Sequence, residues 1–488
     1  MKYLIHIVAF IFCLAFISCT DDFDEYNTDP NRPKEIYPGV ILGQLQYKFV
    51  NTAITGARGF THELMQISAP RSSQNYGLHR YHIAPNTESG LWTAMYSYMT
   101  DIEDLYAIAD RLGEDNYKGI ALIYKSLGYS ILTDTFGDIP YSQATKAAEG
   151  VFLPEFDKQK DIYVQIFKDL ETANALLDTT DPLIYGGDMV YDANDAEGIL
   201  KWKKFCNSLK LRLLLRIFNK DGEINVSEQI TKILGDPTTY PVFSSIEDDA
   251  IFKYPGSFPY FNPYFNARTL NWREGTYFTE YFINFLNDVE DPRRAIWSTT
   301  VEKEGEDVYI GIKSGYESDV EYQVNDHSSY NDNLKTLPEL GIMMTFAELE
   351  FIKAELSLRG FSTEKSVKEH YEGGIEASMA QWRANMPEEF LEREKIAFRV
   401  ELSFEEQLEQ IMQQKYFAFF FNDYQAWFEK RRTGYPVLPR GAGIPAENQF
   451  PSRVTYPTYL QSLNPQALES ATASMGGDNS NIKVWWER

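Results

Sequence analysis

The stretch best suited to recognise a ligand is YPGSFPYFNPYFNARTLNW, at residues 254–272. It places aromatic rings beside asparagine and arginine side chains, in a segment that prolines and a glycine keep irregular. The flat face of an aromatic ring can stack on the C–H face of a sugar, while amide and guanidinium groups bond the sugar hydroxyls. The alternative is that these rings only fasten a long insertion to the helices around it.

A second polar, loop-like stretch, RSSQNYGLHRYHIAPNTES at residues 71–89, could join the same site. The candidate ligand contacts in the two stretches are Tyr76, Tyr81, Tyr260, Asn262, Tyr264, Asn266 and Trp272. His79 and His82 stand close enough in the sequence to share a metal ion, but no third ligand is near them. We interpret them as a surface pair, so we predict neither a metal site nor a cofactor.

Signatures of catalysis are missing from the sequence, which contains no HExxH, GxSxG, Walker or CxxC motif. Asp134 and Asp138 in DTFGDIP are the nearest candidates for the two carboxylates of a glycoside hydrolase, which must face each other across a cleft. Because Gly137 and Pro140 mark a turn after a helix, we interpret both aspartates as caps of that turn. Carboxylates are abundant, so composition alone leaves a hydrolase open.

The N-terminus has the pattern of a lipoprotein signal. Lys2 precedes an apolar run at residues 4–17 that is too short to span a membrane. The tripeptide FIS then precedes Cys19, as in a bacterial lipobox, where the signal is cut just before a cysteine that becomes lipid-modified. We therefore predict a signal peptide at residues 1–18 and acyl chains on Cys19. An ordinary secretory signal with an incidental cysteine is the alternative.

The net charge limits which molecules the protein can bind, and the cysteine content limits which disulfides it can form. The formal net charge of -25 argues against nucleic acid or an anionic lipid surface as a binding partner. Cleavage before Cys19 leaves Cys206 without a disulfide partner, and its helical surroundings predict a small buried hydrophobe. The stretch TDDFDEYNTDPNRP follows Cys19 and predicts a flexible tether at residues 19–35. Residues 36–488 are then expected to form a single domain.

Helical patterns dominate that domain. Apolar residues recur at helical spacing in the stretches 91–112, 117–132, 159–177 and 196–218. Thr345 with Glu348, and Ser403 with Glu406, predict capping boxes at the starts of two more helices. Adjacent helix pairs predict a mainly all-α, tetratricopeptide-like framework. Residues from about 240 to 340 break the pattern, with one good helix near 277–286, and predict an irregular, aromatic, ligand-facing insertion.

Several stretches together resemble the SusD/RagB family. They are the lipobox with its acidic tether, WTAMY at Trp92, DTFGDIPYSQA at Asp134, DPRR at Asp291, MTFAELEFIKAEL around Thr345 and FNDYQAWFEKRRTGYPVL at Phe421. The closest likeness is to SusD-like lipoproteins in which DTFGDIPY and RRTGYP recur, and it spans essentially the whole mature chain. The acidic tether also resembles the signal that exports lipoproteins to the cell surface in Bacteroidota.

The resemblance implies a role as well as a fold. Such proteins are surface lipoproteins of the outer membrane, and they act as a lid on a SusC-type TonB-dependent transporter. They capture a glycan, or in some members a peptide, and they are not enzymes. The shared family motifs do not identify individual ligand contacts. A surface glycoside hydrolase, or a helical scaffold or adhesin without a small ligand, remains as an alternative.

Overall fold

The computed structural model describes residues 35–72 and 77–488. The predicted signal peptide, Cys19 and nearly all of the tether lie outside these residues. Helices make up most of the described chain. In chain order they are α1 (Pro38–Gly56), α2 (His62–Leu64), α3 (Ser89–Leu112), α4 (Asp115–Phe136), α5 (Gln159–Leu176), α6 (Ala196–Arg216), α7 (Asp221–Ile224), α8 (Val226–Gly235), α9 (Glu280–Asp288), α10 (Arg293–Trp297), α11 (Phe346–Leu358), α12 (Val367–Gln381), α13 (Phe404–Ala418), α14 (Gln425–Thr433), α15 (Leu460–Leu463) and α16 (Pro465–Met475).

Short strands, two π-helical turns and several short 3₁₀ helices complete the regular structure. The strands are β1 (Ser68–Pro70), β2 (Ala250–Phe252), β3 (Thr276–Phe278), β4 (Val301–Lys303), β5 (Glu306–Val308) and β6 (Gly341–Met344). They pair antiparallel as β1 with β3, β2 with β6 and β4 with β5. The π turns are Ala57–Thr61, directly after α1, and Leu270–Glu274, directly before β3.

Neighbouring helices pack against each other along the chain. The closest packing joins α1 to α3, α3 to α4 and α4 to α5, and in the second half α11 to both α12 and α13. The buried face of α3 carries Trp92, Met95, Met99 and Ile102 at helical spacing, and Gly113 ends the helix with a φ of 77°. The prediction of a mainly all-α, tetratricopeptide-like framework is confirmed, and helix ends differ from those predicted by a few residues.

The two predicted capping boxes have different outcomes. At α13, Ser403 and Glu406 cap each other, with the Ser403 amide donating to Glu406 Oε2 at 2.9 Å. At α11, the Glu348 amide donates to Thr345 Oγ1 at 3.2 Å, but the Glu348 carboxylate instead accepts from Arg212 Nε at 2.6 Å. The predicted hydrogen bond from the Thr345 amide to the Glu348 carboxylate is therefore wrong. A buried guanidinium binds a carboxylate more strongly than a backbone amide does.

The irregular insertion leaves the helical framework at β2 and returns at β6. Phe252 at the end of β2 pairs with Gly341 at the start of β6, so the two ends of the insertion meet. A Cβ atom on Gly341 would lie 2.3 Å from the Phe252 carbonyl oxygen, and this close approach requires glycine. The helix predicted near residues 277–286 is α9, which begins after β3 because Tyr277 and Phe278 are paired with β1.

Buried charges tie the helical pairs together. Asp134, at the end of α4, is fully buried and accepts hydrogen bonds from Arg216 Nη1 at 2.7 Å, Tyr163 Oη at 2.8 Å and Trp486 Nε1 at 2.7 Å. Its interpretation as a turn cap is therefore wrong, because its partners come from distant parts of the chain. Asp138 accepts from the Gln159 amide at 3.0 Å and so caps the start of α5. With Asp134 enclosed in the core, this pair does not face a cleft.

Two further features of the described residues are the hydropathy of the helices and the position of Cys206. No helix among residues 35–72 and 77–488 is long and apolar enough to cross a membrane. Cys206 is fully buried in α6, as predicted, and its thiol donates to the Leu170 carbonyl at 3.2 Å. Burial raises the pKa of this thiol to about 12, which keeps it in the unreactive protonated form.

Candidate functional site

One face of α1 and the π turn that follows it hold the aromatic segment, which we define as residues 254–274. Side chains or carbonyls at positions 44, 47, 51, 54 and 58 lie on this face, since they follow the three-to-four-residue spacing of a helix. Their bonds are Gln44 Nε2 to Tyr260 Oη at 2.8 Å, Tyr47 Oη to the Phe261 carbonyl at 3.0 Å, Tyr254 Oη to Asn51 Oδ1 at 2.7 Å and Tyr264 Oη to the Ile54 carbonyl at 3.2 Å. Part of the segment therefore fastens the insertion, as the alternative interpretation expected.

Arg58 links the two π turns. It lies in the first, and its Nη2 donates to the Asn271 carbonyl in the second at 2.9 Å. Its guanidinium also covers aromatic faces, at 4.7 Å from the Trp272 ring centroid, 4.9 Å from Tyr330 and 5.4 Å from Tyr264. Single π turns inside helical structure occur frequently at functional sites, and here one cation holds two of them together.

Three of the predicted contacts are buried, and two of them, Tyr264 and Trp272, lie beneath this arginine. Trp272 is 0% exposed and donates from Nε1 to the Asn331 carbonyl at 3.3 Å. Tyr264 packs on Trp272 with ring centroids 4.9 Å apart. Asn262 bonds the Leu334 carbonyl at 3.1 Å and the Tyr264 amide at 2.9 Å. In this structure these side chains support the surface and expose little to a ligand, so their direct contact with one stays a prediction.

Other side chains of the segment face the solvent. Phe258 is 87% exposed, Leu270 59% and Phe265 38%. Phe265 stacks on Phe261 with centroids 4.7 Å apart, so its second face is the one turned outward. The exposed Asn266 and the half-buried Tyr260, both predicted contacts, lie in the same segment. We call Phe258, Tyr260, Phe265, Asn266 and Leu270 the aromatic rim.

Sequence reasoning did not single out Phe258, Phe265 or Leu270. Side-chain direction follows residue spacing in helices and strands, but irregular backbone has no such period. No signal in the stretch therefore separates an exposed ring from a supporting one. The three residues become visible as candidates only once their exposure is known.

The first loop contributes its base to the same region. The Arg71 amide donates to the Gly275 carbonyl at 2.9 Å, which places the start of the loop beside the end of the aromatic segment. Tyr76 lies outside the described residues. Tyr81 is buried, with its ring edge-on to Phe450 at 5.3 Å, so it packs on the C-terminal part of the chain. Its contact with a ligand stays a prediction.

Buried polar groups fasten the first loop. Glu63 Oε1 accepts from the His79 amide at 3.0 Å, and burial raises the pKa of Glu63 to about 6. The Gly315 amide donates to His79 Nδ1 at 3.0 Å, and the imidazole packs 4.6 Å from the Tyr316 ring. Burial lowers the pKa of His79 to about 4, so this imidazole is neutral. The interpretation of His79 as a surface residue is wrong, because the loop folds inward around it.

A hydrogen-bonded chain fixes Tyr330 under Arg58. His62 Nε2 accepts from the Phe421 amide at 3.2 Å, so the ring proton lies on Nδ1, which donates to Tyr330 Oη at 2.7 Å. Tyr330 Oη is also 2.8 Å from Ser68 Oγ. Burial lowers the pKa of His62 well below its ordinary value, so the hydrogen-bonded network of His62, Tyr330 and Ser68 is uncharged. The aromatic layer around Arg58 is therefore held in one arrangement, and a preorganised surface loses less entropy on binding.

Comparisons with known proteins agree with this architecture. Residues 30–457 match the sequence family SusD-like_2, described as starch-binding and associating with the outer membrane. A SusD homologue from Bacteroides fragilis is 25% identical over 93% of this chain and 100% of its own, with a TM-score of 0.78. A SusD homologue from Bacteroides uniformis is 24% identical over 93% of this chain and 100% of its own, with a TM-score of 0.77. No protein of curated function matches the sequence.

A relative with a stated ligand has the same fold. The chitin-binding SusD homologue from Flavobacterium johnsoniae is 22% identical over 92% of this chain and 99% of its own, with a TM-score of 0.78. At that identity the likeness concerns the fold alone.

Proposed function

The chain belongs to the SusD/RagB family, and from that premise we propose that it captures a neutral glycan at the outer face of the outer membrane. The observation that carries this proposal is the aromatic rim, in which the Phe258 and Phe265 rings are exposed within a segment that α1 and Arg58 fasten. Stacking on these rings, with hydrogen bonds from nearby amide and guanidinium groups, is the expected mode of binding. The rim and the aromatic layer around Arg58 have separate roles, contact and support.

The chemistry around the rim favours an uncharged ligand. Asn266, Arg268 and Asn271 are exposed in the same segment and offer hydrogen-bond donors and acceptors to hydroxyl groups. The net charge of -25 disfavours polyanions, whereas a neutral sugar is not repelled. The family description, starch-binding, concerns a neutral polysaccharide. A peptide remains the second ligand class, since the rim could also bind apolar side chains.

Capture without cleavage is part of the proposal. The aspartate pair considered from the sequence is divided between the core and a helix cap, as Asp134 is enclosed and Asp138 caps α5. Binding followed by release of the unchanged glycan to a TonB-dependent transporter of the SusC type is therefore the proposed mechanism. The transporter is proposed from family membership.

A ligand screen tests this function. A soluble form that lacks the residues up to Cys19 is applied to an array of mixed glycans and peptides, and bound glycans are then analysed for newly formed reducing ends. We expect binding to neutral oligosaccharides and no new reducing ends. Released reducing ends would show a glycoside hydrolase. Failure to bind any member of the array would support the scaffold or adhesin alternative.

Attachment to the membrane is proposed to depend on Cys19. The variant Cys19→Ala should lose its acyl chains and move from the membrane fraction to the soluble fraction, as followed by mass spectrometry and fractionation. Cys206→Ala is the matched control, because Cys206 is buried and should leave acylation unchanged. Wild-type protein solubilised in detergent should co-purify with a TonB-dependent transporter. A Cys19→Ala protein that stays in the membrane fraction would overturn the anchor.

A further inference from the structure

We propose that α11, α12 and the turn between them form a zinc site, with Glu350, Glu364 and His370 as its protein ligands. One nitrogen or oxygen atom from each of these side chains lies within 4.8 Å of the others. Glu350 comes from α11, Glu364 from the connecting turn and His370 from α12. These residues are not part of the aromatic rim, and the inference does not depend on glycan binding.

An unpartnered carboxylate oxygen in the cluster points to a bound ion. Glu350 Oε1 has no hydrogen-bond partner among the described residues, although its side chain is fully buried. Buried polar atoms without a partner are uncommon in folded proteins, and ion binding is one physical reason for them. Glu350 Oε2 lies 3.2 Å from His370 Nδ1, so the carboxylate and the imidazole already face each other.

The site has space and a route for an ion. Gly373 on α12 lies against the Glu350 carboxylate, and a Cβ atom there would stand 2.8 Å from Glu350 Oε2. Glycine therefore leaves room beside the proposed ligand. Glu350, Lys353, Glu364 and Lys365 also line a surface cavity of about 730 Å³ that opens the two glutamates to solvent. This cavity gives an ion access to their carboxylates and leaves room for a water molecule as fourth ligand.

The ligand types select the metal. One imidazole nitrogen with two carboxylate oxygens suits Zn²⁺, whereas Ca²⁺ and Mg²⁺ prefer oxygen ligands alone. Zinc bonds to such ligands are about 2.0–2.2 Å long in a tetrahedral arrangement. The half-exposed Glu364 side chain can turn inward to reach this geometry.

Two lysines compete with the ion. Lys365 Nζ donates to Glu350 Oε2 at 2.8 Å, and Lys353 Nζ donates to Glu364 Oε1. Zinc must displace these ammonium groups from the carboxylates. A variant that removes the charge of one lysine without shortening its side chain should therefore bind zinc more tightly.

The test is calorimetric titration of ZnCl₂ into the full-length protein, purified in detergent and stripped of metal with EDTA. We expect one zinc per chain. Glu364→Gln should weaken binding at least about 10-fold, since even partners of metal ligands cost 10–100-fold when removed. Lys365→Met should strengthen binding. Glu376→Gln, at an exposed glutamate of the same helix α12, is the matched control and should bind like the wild type.

Folding of the variants is checked separately by circular dichroism. Glu364 is exposed enough for its substitution to leave the fold intact, and zinc should raise the melting temperature of the wild type because it binds only the folded chain. Absence of zinc binding in both the wild type and Lys365→Met would overturn the proposal. Equal zinc affinity of Glu364→Gln and Glu376→Gln would overturn it as well.

Discussion

Replacing Glu429 with alanine should lower the free energy of unfolding by about 3–5 kcal/mol, the cost typical of breaking a buried ion pair. The Glu429 carboxylate in α14 is buried among three cations. Lys415 Nζ donates to it at 2.8 Å, Arg432 Nη2 at 2.7 Å and Arg216 Nε at 3.3 Å. The loss is large because alanine leaves these cations in the core with fewer counter-charges.

Lys415 should account for most of this loss. Arg216 keeps its pair with Asp134, and Arg432 keeps its pair with Glu355. Lys415 is buried, and among the described residues Glu429 is the carboxylate within ion-pair distance of it. A buried ammonium without a counter-ion is costly. Adding Lys415→Met to Glu429→Gln should therefore restore part of the stability that Glu429→Gln alone loses. The coupling free energy between the two substitutions measures the contribution of the Lys415–Glu429 ion pair.

Acidic pH should reduce the loss of stability that Glu429→Ala causes. Burial would raise the pKa of Glu429, but Arg432, Lys415 and Arg216 overcome burial and hold the pKa well below its ordinary value of 4.5. The contribution of the carboxylate is therefore present above pH 4.5 and lost as the pH falls through the folded-state pKa. The difference between wild type and Glu429→Ala should narrow in acid.

Urea unfolding followed by tryptophan fluorescence measures these free energies. Glu409→Ala, at an exposed glutamate of α13, is the control and should change stability by no more than about 0.5 kcal/mol. A loss below about 1 kcal/mol for Glu429→Ala would be typical of a surface ion pair. It would contradict a large contribution of this buried cluster to stability.

Removing two rings from the aromatic rim should have the largest effect on binding. The double variant Phe258→Ala, Phe265→Ala is expected to weaken affinity for the bound glycan about 30- to 100-fold. This expectation assigns about 1–1.5 kcal/mol to each stacked ring, with about 1.4 kcal/mol for each factor of ten. Both rings are exposed, so their loss should leave the fold unchanged.

The control for the rim is another exposed phenylalanine. Phe152 is 76% exposed in a loop outside the insertion, and Phe152→Ala should bind glycan like the wild type. Calorimetric titration compares the variants. Trp272→Ala and Tyr264→Ala are less informative, because both residues lie under Arg58 and their removal would disturb the support as well as any contact. Unchanged affinity in the double rim variant would show that the glycan binds outside the aromatic rim.

Local patterns in the sequence predicted the framework well. Helices such as α3 and α13 follow from apolar spacing and from Ser403 with Glu406, because each depends on residues within a few positions. The same local logic failed for Asp134, whose partner Arg216 lies far along the chain. It failed for Glu348 for the same reason, since Arg212 replaces the local amide as its partner.

The sequence predicted that the aromatic stretch reaches the surface, but it did not predict which of its residues are exposed. The stretch at residues 254–272 does carry exposed rings, and the base of the first loop does meet its end at Gly275. Which ring faces outward depends on the tertiary contacts of an irregular backbone, above all on Arg58. In the sequence, Trp272 and Phe258 are equally good candidates for stacking on a sugar. Only the tertiary packing shows that Trp272 is buried and Phe258 is exposed.

Calorimetric titration of the soluble protein with the neutral glycan that binds best on the array tests the central claim most directly. The recovered glycan is analysed for chain length in the same experiment. The account predicts saturable binding, loss of that binding in the double rim variant and a glycan of unchanged length. Absence of binding to any neutral glycan, or shortening of the glycan that is bound, would contradict it.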